Sequence, residues 1–530
     1  MTPHSNKNDE ADCLYFAHAC GFFTKMAFPL PSRCIMDQLL AAVDLGSNSF
    51  RLSIARIVQN DDSVQIYATD RLKETVRLAA GLNAERVLDE DAIQRAIAVL
   101  SRFGERLENF PAGRVRAVAT NTFRVARNVA EFLPRAEAAL GYPIEVISGQ
   151  EEARLVYSGV VHELPPSNKQ RFVVDIGGGS TEFIIGRELE PLIMKSLAMG
   201  CVSYTKSFFP DGKVTEEGFV LAEIAARKEI EIISRQYRHL GWDEAFGSSG
   251  TAKALVATLE ESGFSEKGIT LDGMQKLKKV LIRHGSAHAP ELRGLKLDRM
   301  EVLPAGLSIM MAIFSELQVK QMFQGDGALR VGVLYDMLGR DSSHDKRDET
   351  AGVFMKRYHI DSRQAARVKK QALAFFDSIL ADETAADDLR RYLSWACDLH
   401  ETGLSISQNN YHKHTAYVMA NADMPGFSEA EQELLSFLTL GHQGKLDKLL
   451  PEKPSRVKWL LTLCLRLAVV FMRRRQPVTS LPVSLETDDQ KLILRVGRKW
   501  LEDHPLTRYT LSLEAAEWKK AGFTLDIIPS

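Results

Sequence analysis

Cysteine is scarce in this chain, with six in 530 residues and no CxxC pair. Cys13, Cys20 and Cys34 lie near the start, and Cys201, Cys397 and Cys464 are scattered. That spacing excludes a disulfide framework and makes a reducing, cytoplasmic setting the default. No apolar stretch approaches the roughly 18 residues of a membrane span. The nearest, Trp459 to Met472, is interrupted by Arg466 and reads as a buried helix. An excess of one charge is missing as well: 67 Lys plus Arg stand against 69 Asp plus Glu, a net charge of −2. Without a global basic field, nucleic acid is not the expected partner, and any grip on phosphate must be local. Local candidates are Arg51, Arg71, Lys73, Arg77, Arg124 and Arg127, then Arg363, Arg367, Lys369, Lys370 and Arg473 to Arg475. Two common phosphate loops are absent. There is no GxxxxGK[ST] run, and Gly177 to Gly179 lead into a strand-like run rather than a helix, against a dinucleotide fingerprint. Residues 1–35 lack a clear period, and Asp9, Glu10 and Asp12 spoil a signal-peptide start. A disordered extension, or an upstream start codon, is expected there.

What is present is one device used twice. Asp44-Leu45-Gly46-Ser47-Asn48-Ser49 and Asp175-Ile176-Gly177-Gly178-Gly179-Ser180-Thr181-Glu182 each follow an apolar run and lead into a second extended run. The pattern is strand, acidic residue, glycine-rich hairpin, strand. Glycine permits φ > 0 and brings N–H groups close to a ligand. Successive N–H groups form an anion nest suited to phosphate. The preceding aspartate can hold a metal ion or a water beside it. A lone Asp-x-Gly turn is usually only a turn; two matching copies suggest two lobes facing each other across a phosphate-containing ligand.

The length predicts three or four domains. Strands are expected at Val64–Tyr67, Val115–Ala119 and Ile144–Ile147, with an amphipathic helix carrying Ile93, Ile97, Leu100, Phe103 and Leu107. Ser148-Gly149-Gln150 opens a helix beginning Glu151-Glu152, a strand-to-helix switch of the kind that holds ligands in α/β proteins. Residues 165–170 read as a crossing between lobes. Gly247 to Lys253 is a glycine-rich turn, and Gly325 to Arg330 enters a helix. The charged stretch Asp341 to Glu349 reads as a linker, followed by helical periodicity to about residue 475. A hairpin of Val483–Leu485 with Leu492–Val496, and strand-like runs at Tyr509–Leu513 and Phe523–Ile528, suggest a small α+β tail.

The runs AVDLGSNSFRLSIAR, ATNTFRVA, ISGQEEARLVYSGV, VVDIGGGSTEFIIG, GSSGTAK and GDGALRVGVLYDM, continuing through RYHID and LHETGLSI, resemble the exopolyphosphatase / guanosine pentaphosphate phosphohydrolase family over nearly everything after Met36. The resemblance implies an α/β fold of two RNase-H-like lobes of the sugar kinase/actin-like superfold, over 36–160 and 161–340. An all-helical HD-like domain would follow over 345–475, then a small α+β domain over 476–530. It implies that Glu152 is the general base acting on water and that Arg124 contacts substrate phosphate, as a bidentate guanidinium can. Asp44 and Asp175, with Glu182, would lie beside Mg²⁺. Phosphate contacts are implied at Gly46, Ser47, Asn48, Ser49, Gly177, Gly178, Gly179, Ser180, Thr181 and Gly250; Glu182 and Asn48 could instead only shape their turns. Adjacent helical residues project about 100° apart, so only one of the Glu151-Glu152 pair can face a cleft. Glu151 is expected to cap or solvate the helix N-terminus.

In the helical region His400-Glu401, His412, His414 and His442 invite a metal reading. The family's helical domain resembles metal-dependent HD phosphohydrolases, whose site requires His-Asp, and the Glu401 departure favours a scaffold lining a basic passage. The function implied is Mg²⁺-dependent removal of terminal orthophosphate from inorganic polyphosphate by a homodimer in the cytoplasm, with peripheral membrane association left open. Hydrolysis of guanosine pentaphosphate is the alternative. An actin-like ATPase or kinase, with GSSGTAK holding adenosine, is the reading from another class, and a catalytically silent polyphosphate-binding regulator a further one.

Overall fold

Central strands buried on both faces read as continuous apolar runs, and two such runs organise this molecule. The computed structural model describes residues 38–60, 63–340, 345–476 and 481–530; the expected N-terminal extension lies outside them. In the first sheet β1 (Gln38–Leu45), β2 (Ser49–Asn60), β3 (Ser63–Thr75), β4 (Val115–Ala119) and β5 (Ile144–Val146) lie in the order β3-β2-β1-β4-β5. In the second, β6 (Gln170–Ile176), β7 (Thr181–Arg187), β8 (Glu190–Leu197), β9 (Glu244–Ser248) and β10 (Phe323–Gln324) lie in the order β8-β7-β6-β9-β10. The β2–β3, β6–β7 and β7–β8 pairs are antiparallel, whereas β1–β4, β4–β5, β6–β9 and β9–β10 are parallel. The two orders are the same RNase-H-like plan, as in the sugar kinase/actin-like superfold. Ala41 to Val43 in β1 and Phe172 to Val174 in β6 are fully buried.

Two helices cross between the sheets. Gly149–His162 follows the first sheet in sequence yet packs on β7 and β8 of the second, and Leu329–Arg340 follows the second yet packs on β2 of the first. Their crossing is close: a Cβ on Gly332 would sit 1.8 Å from the Leu155 carbonyl oxygen, and one on Gly159 2.3 Å from that of Ala328. One apolar cluster therefore takes Ala42 and Val118 from one sheet and Val173 and Ile184 from the other.

Beyond residue 345 the chain is helical until β11 (Val483–Asp488), β12 (Lys491–Val496) and β13 (Thr524–Pro529) form a small sheet. One core runs from Ala351 through Trp459 to Leu525, so helices and sheet share it. Two expectations are corrected. The Tyr509–Leu513 strand is part of a helix, Pro505–Lys520: Leu511 and Trp518, two turns apart, are buried, while Tyr509 and Leu513 face solvent. The charged linker gives way at Asp345 to the helix Lys346–Arg357, because Asp345 caps it and pairs with the buried Arg347 at 2.8 Å. Residues 341–344 lie outside the described ones. Among the described residues, no helix is long and apolar enough to cross a membrane.

Candidate active site

Each hairpin tip is tied back into its own lobe through carbonyls. Ser47 O accepts from Ala79 N (2.9 Å), and Asn48 O from Val76 N (3.0 Å) and Arg77 N (2.8 Å). Gly177 O accepts from Cys201 N (2.9 Å), and Gly178 O from Val202 N (2.9 Å) and Ser203 N (3.1 Å). Among the described residues none accepts from the N–H groups of Ser47, Asn48, Gly178 or Gly179. Unclaimed donors at paired tips are what an anion nest needs. The hairpin glycines do not have positive φ, which corrects the reason expected for them. They are required by the approach of one hairpin to the other: a Cβ on Gly178 would sit 2.9 Å from Ser47 Cβ, and one on Gly179 2.3 Å from Asn121 Oδ1.

A cavity of about 100 Å³ opens between the tips, lined by Asp44, Gly46, Ser47, Asn48 and Ser49 from one side, by Asp175, Gly177, Gly178 and Ser180 from the other, and by Glu152 and Gly250. Ser49 Oγ is buried without a hydrogen-bond partner. Thr120 and Asn121 also line it, while Thr122 Oγ1 donates to Ser47 Oγ (2.8 Å) and holds the first tip. Two arginines supply positive charge, Arg51 and Arg299. Arg299 was not anticipated, since it stands in a polar stretch without period or motif. The signal was Gly250, where a Cβ would meet the Arg299 guanidinium at 2.2 Å. Ser249, at φ +74°, is a non-glycine residue held in the left-handed region at the cavity wall, where strain costs of order 1–3 kcal/mol.

Glu152 opens into the cavity from the first turn of Gly149–His162, whose N-cap Ser148 accepts from Glu151 N. Arg124 is not among the residues lining the cavity. Its Nη1 donates to Glu152 Oε2 (2.9 Å) and to Ile147 O (2.8 Å), which holds it against the carboxylate. Three further expectations move. Thr181 is fully buried and donates to Met199 O (2.6 Å). Gly179 faces a neighbouring cavity instead. Glu182, paired in register with Asp175, lies beneath the floor and accepts from Ser196 Oγ (2.8 Å).

Glu151 neither caps nor meets water. It is 0% exposed, receives Arg154 through two bonds of 2.7 Å, and accepts from Gly426 N (2.8 Å) of the helical region. It belongs to a buried network of three carboxylates and three arginines. Arg116 pairs with Glu145 (2.9 Å) and Asp336 (2.6 Å), Arg154 also pairs with Asp336, and Arg340 donates to Asp336 (3.1 Å) and to Gly426 O (3.1 Å). A helix N-terminus can use a carboxylate at its surface, but three guanidiniums in a closed interior outcompete that.

The cavity carboxylates are poorly compensated. Burial pushes Glu152 above the usual carboxylate range against the pull of Arg124, with Asp44 adding repulsion. Burial pushes Asp175 up to about 7, helped by repulsion from Glu152. Glu182 goes well above the ordinary range by burial and by repulsion from Glu152 and Asp175. Asp44 rises by burial, although Arg330 and Arg51 oppose it. Arg330 Nη1, 3.7 Å from Asp44, is buried without a hydrogen bond. Among the described residues no three His, Cys, Asp or Glu side chains form a metal cage. Mg²⁺ usually takes one or two carboxylates, waters and substrate oxygens, so two under-compensated aspartates at phosphate-sized tips fit that ion without a cage.

Sharing Asn48 and Asn121 with this cavity is a larger one of about 1050 Å³, with Arg77, Arg86 and Lys206 among apolar Phe209, Met300 and Val302. In the helical region His400, His412 and His442 pack edge to face. His400 Nδ1 bonds to Cys397 O (2.7 Å), His442 Nδ1 to Thr439 O (2.5 Å), and Arg475 claims Glu401.

A model of the Ppx/GppA phosphatase family matches residues 54–341, more than half of the chain, and one of Ppx/GppA phosphatase domain III matches residues 347–515. The chain belongs to the Ppx/GppA phosphatase family. Among solved structures, an exopolyphosphatase from Cytophaga hutchinsonii is 23% identical, with a TM-score of 0.51 over 57% of this chain and 98% of that one. The Aquifex aeolicus Ppx/GppA family member is 28% identical, with a TM-score of 0.48 over 57% and 99%. The first likeness is one of fold. As a member of that family, the chain is a phosphatase, a hydrolase of phosphate groups.

Proposed function

We propose that the chain is an exopolyphosphatase, releasing terminal orthophosphate from inorganic polyphosphate. The observation that carries the reading is the set of unclaimed N–H groups at Ser47, Asn48 and Gly178, all lining one cavity into which Glu152 opens. Phosphoryl transfer depends on positioning and charge neutralisation. The two tips and Ser49 Oγ hold the terminal phosphoryl oxygens, and Arg51 and Arg299 offset their charge. Arg124 fixes Glu152 in place, and Glu152 orients a water and accepts its proton while the attack proceeds in line with the leaving oxygen. The raised carboxyl affinity of Glu152 suits a base, since it holds the abstracted proton more firmly. Asp44 and Asp175 would hold Mg²⁺, which when bound neutralises phosphate charge.

One observation favours a second substrate, guanosine pentaphosphate: the adjoining 1050 Å³ cavity, with apolar walls and basic residues, is wide for a bare phosphate chain. The deciding experiment measures orthophosphate release from long polyphosphate, guanosine pentaphosphate and ATP, with and without Mg²⁺. Release from polyphosphate at the greatest kcat/KM is expected. Preference for either nucleotide overturns the polyphosphate assignment.

A further inference from the structure

The helical region reaches the first turn of the Gly149–His162 helix at one buried point. Gly426 N donates to Glu151 Oε2 at 2.8 Å across 275 residues of chain. The turn that offers this N–H is held from several sides. Thr350 Oγ1 donates to Pro425 O (2.7 Å), Arg340 to Gly426 O (3.1 Å), and the following Ser428 closes a capping box with Glu431, whose carboxylate also takes Arg347 (2.5 Å). It is therefore a fixed strut rather than a loose loop. At its other end stands Glu151, fully buried, with Arg154 on both oxygens. The next residue is Glu152. Two residues beyond the strut's Phe427, burial raises the proton affinity of the Glu429 carboxyl, against the opposing charge of Arg124. The helical region thus reaches Glu152 through its neighbour Glu151.

We propose that Glu151 is a positioning residue which couples docking of the Pro425–Gly426 turn to the aim of Glu152. The helical region then governs turnover without touching the reacting phosphate. Glu151 and Glu152 share one helical turn, so a shift of that turn displaces the base directly. A misplacement of about 1 Å in a reacting group costs on the order of 10²-fold in rate. Substrate binding, which rests on the hairpin tips, should be spared. This inference rests on the assignment of Glu152 as base.

The test uses the full chain with polyphosphate and Mg²⁺. Glu151→Gln leaves three arginines facing two carboxylates. Gly426→Ala removes no charge, but its φ of +91° and a Cβ 3.1 Å from Arg347 Cγ and N strain the turn and draw its N–H off Glu151. Each is expected to lower kcat by about 10-fold or more with KM changed less than about threefold, and the double variant should be no slower than the slower single one, as residues acting through one contact do. Arg466→Met, which breaks a buried ion pair with Glu514 elsewhere in the helical region, serves as a control that lowers the melting temperature and leaves kcat unchanged. A Gly426→Ala enzyme with kcat within about twofold of the parent overturns the inference, as do multiplicative effects in the double variant. So does a control that loses kcat in parallel. If Glu151→Gln fails to fold, Gly426→Ala decides alone. Glu152→Gln runs beside them: normal turnover there defeats the base assignment itself, whereas loss there with an unaffected Gly426→Ala defeats only the coupling.

Discussion

Glu151 and Glu152 are neighbours in sequence, both buried, and their surroundings could hardly differ more. Glu151 sits in a network where three carboxylates meet three arginines. There the guanidiniums of Arg154, Arg116 and Arg340 overcome burial and hold the Asp336 carboxyl far below its usual range; Arg116 and Arg340 do the same, less strongly, for Glu145. Glu152 sits with Asp44, Asp175 and Glu182, all pushed upward by burial, with repulsion from Glu152 adding to it at Asp175 and Glu182. Compensated charge builds the frame between lobes and helical region, and carboxylates without such partners gather at the cavity.

The largest effect that would break this contrast is expected at Glu152. Glu152→Gln should lower kcat by about 10²–10⁴-fold while retaining polyphosphate binding, measured by turnover and by equilibrium binding of the chain. Near-normal turnover would remove Glu152 from the chemistry. Next comes the frame. Asp336→Asn leaves Arg116, Arg154 and Arg340 facing two carboxylates, and removing one partner from such a buried group costs about 3–5 kcal/mol. Because the Asp336 carboxyl is depressed, its contribution is present above the unfolded carboxyl range and fades as pH falls through the folded value. The variant's deficit in denaturant melts should therefore be full at neutral pH and shrink in acid. A deficit independent of pH would contradict the network's charge balance.

Much of this was legible in the sequence, and the reason is local. The hairpins announce themselves because acid, glycine and hydroxyl residues are contiguous, and strand runs such as Phe172 to Val174 are apolar throughout. Glu152 and Gly250, both at the cavity wall, stand in contiguous motifs. Arg299, the hold of Arg124 on Glu152 and the burial of Glu151 are marked by none, because each is decided by partners far along the chain: Gly250 for Arg299, Gly426 and Asp336 for the Glu151 network. Tyr509 to Leu513 misled for a related reason, since three alternating apolar residues satisfy a strand pattern until Trp518 reveals the helical one.

A smaller effect should appear at Asp175. Its carboxyl binds a proton up to about pH 7 in the folded protein, whereas the unfolded chain releases it near the ordinary aspartate value of 3.8. The folded state holds the extra proton between those values, so stability falls as pH rises through that window and stays lower above it. Asp175→Asn, studied with chelator and no phosphate, should raise stability at pH 8 by at most about 4 kcal/mol, less because Glu152 and Glu182 share the strain, and have little effect at pH 4. Turnover should fall in the same variant. Equal stability at both pH values would mean that the cavity carboxylates are compensated after all.

The smallest effect belongs to a third kind of charge, exposed and paired. Lys73 meets Asp298 at 2.6 Å and Arg77 meets Glu301 at 3.0 Å, both joining the first lobe to the second beside the larger cavity. All four side chains are more than a third exposed, so water and salt screen them, and each pair should contribute about 0.2–1 kcal/mol. Lys73→Met and Arg77→Met should lower the melting temperature by about 1–4 °C at most, an effect that raised salt erases in the parent as well. Both pairs span the two lobes, and neither reaches the Glu152 cavity, so their loss should raise KM modestly rather than change kcat. A large fall in stability from either would place exposed pairs alongside the Asp336 network and dissolve the distinction between a frame made by buried compensation and a cleft left open for its substrate.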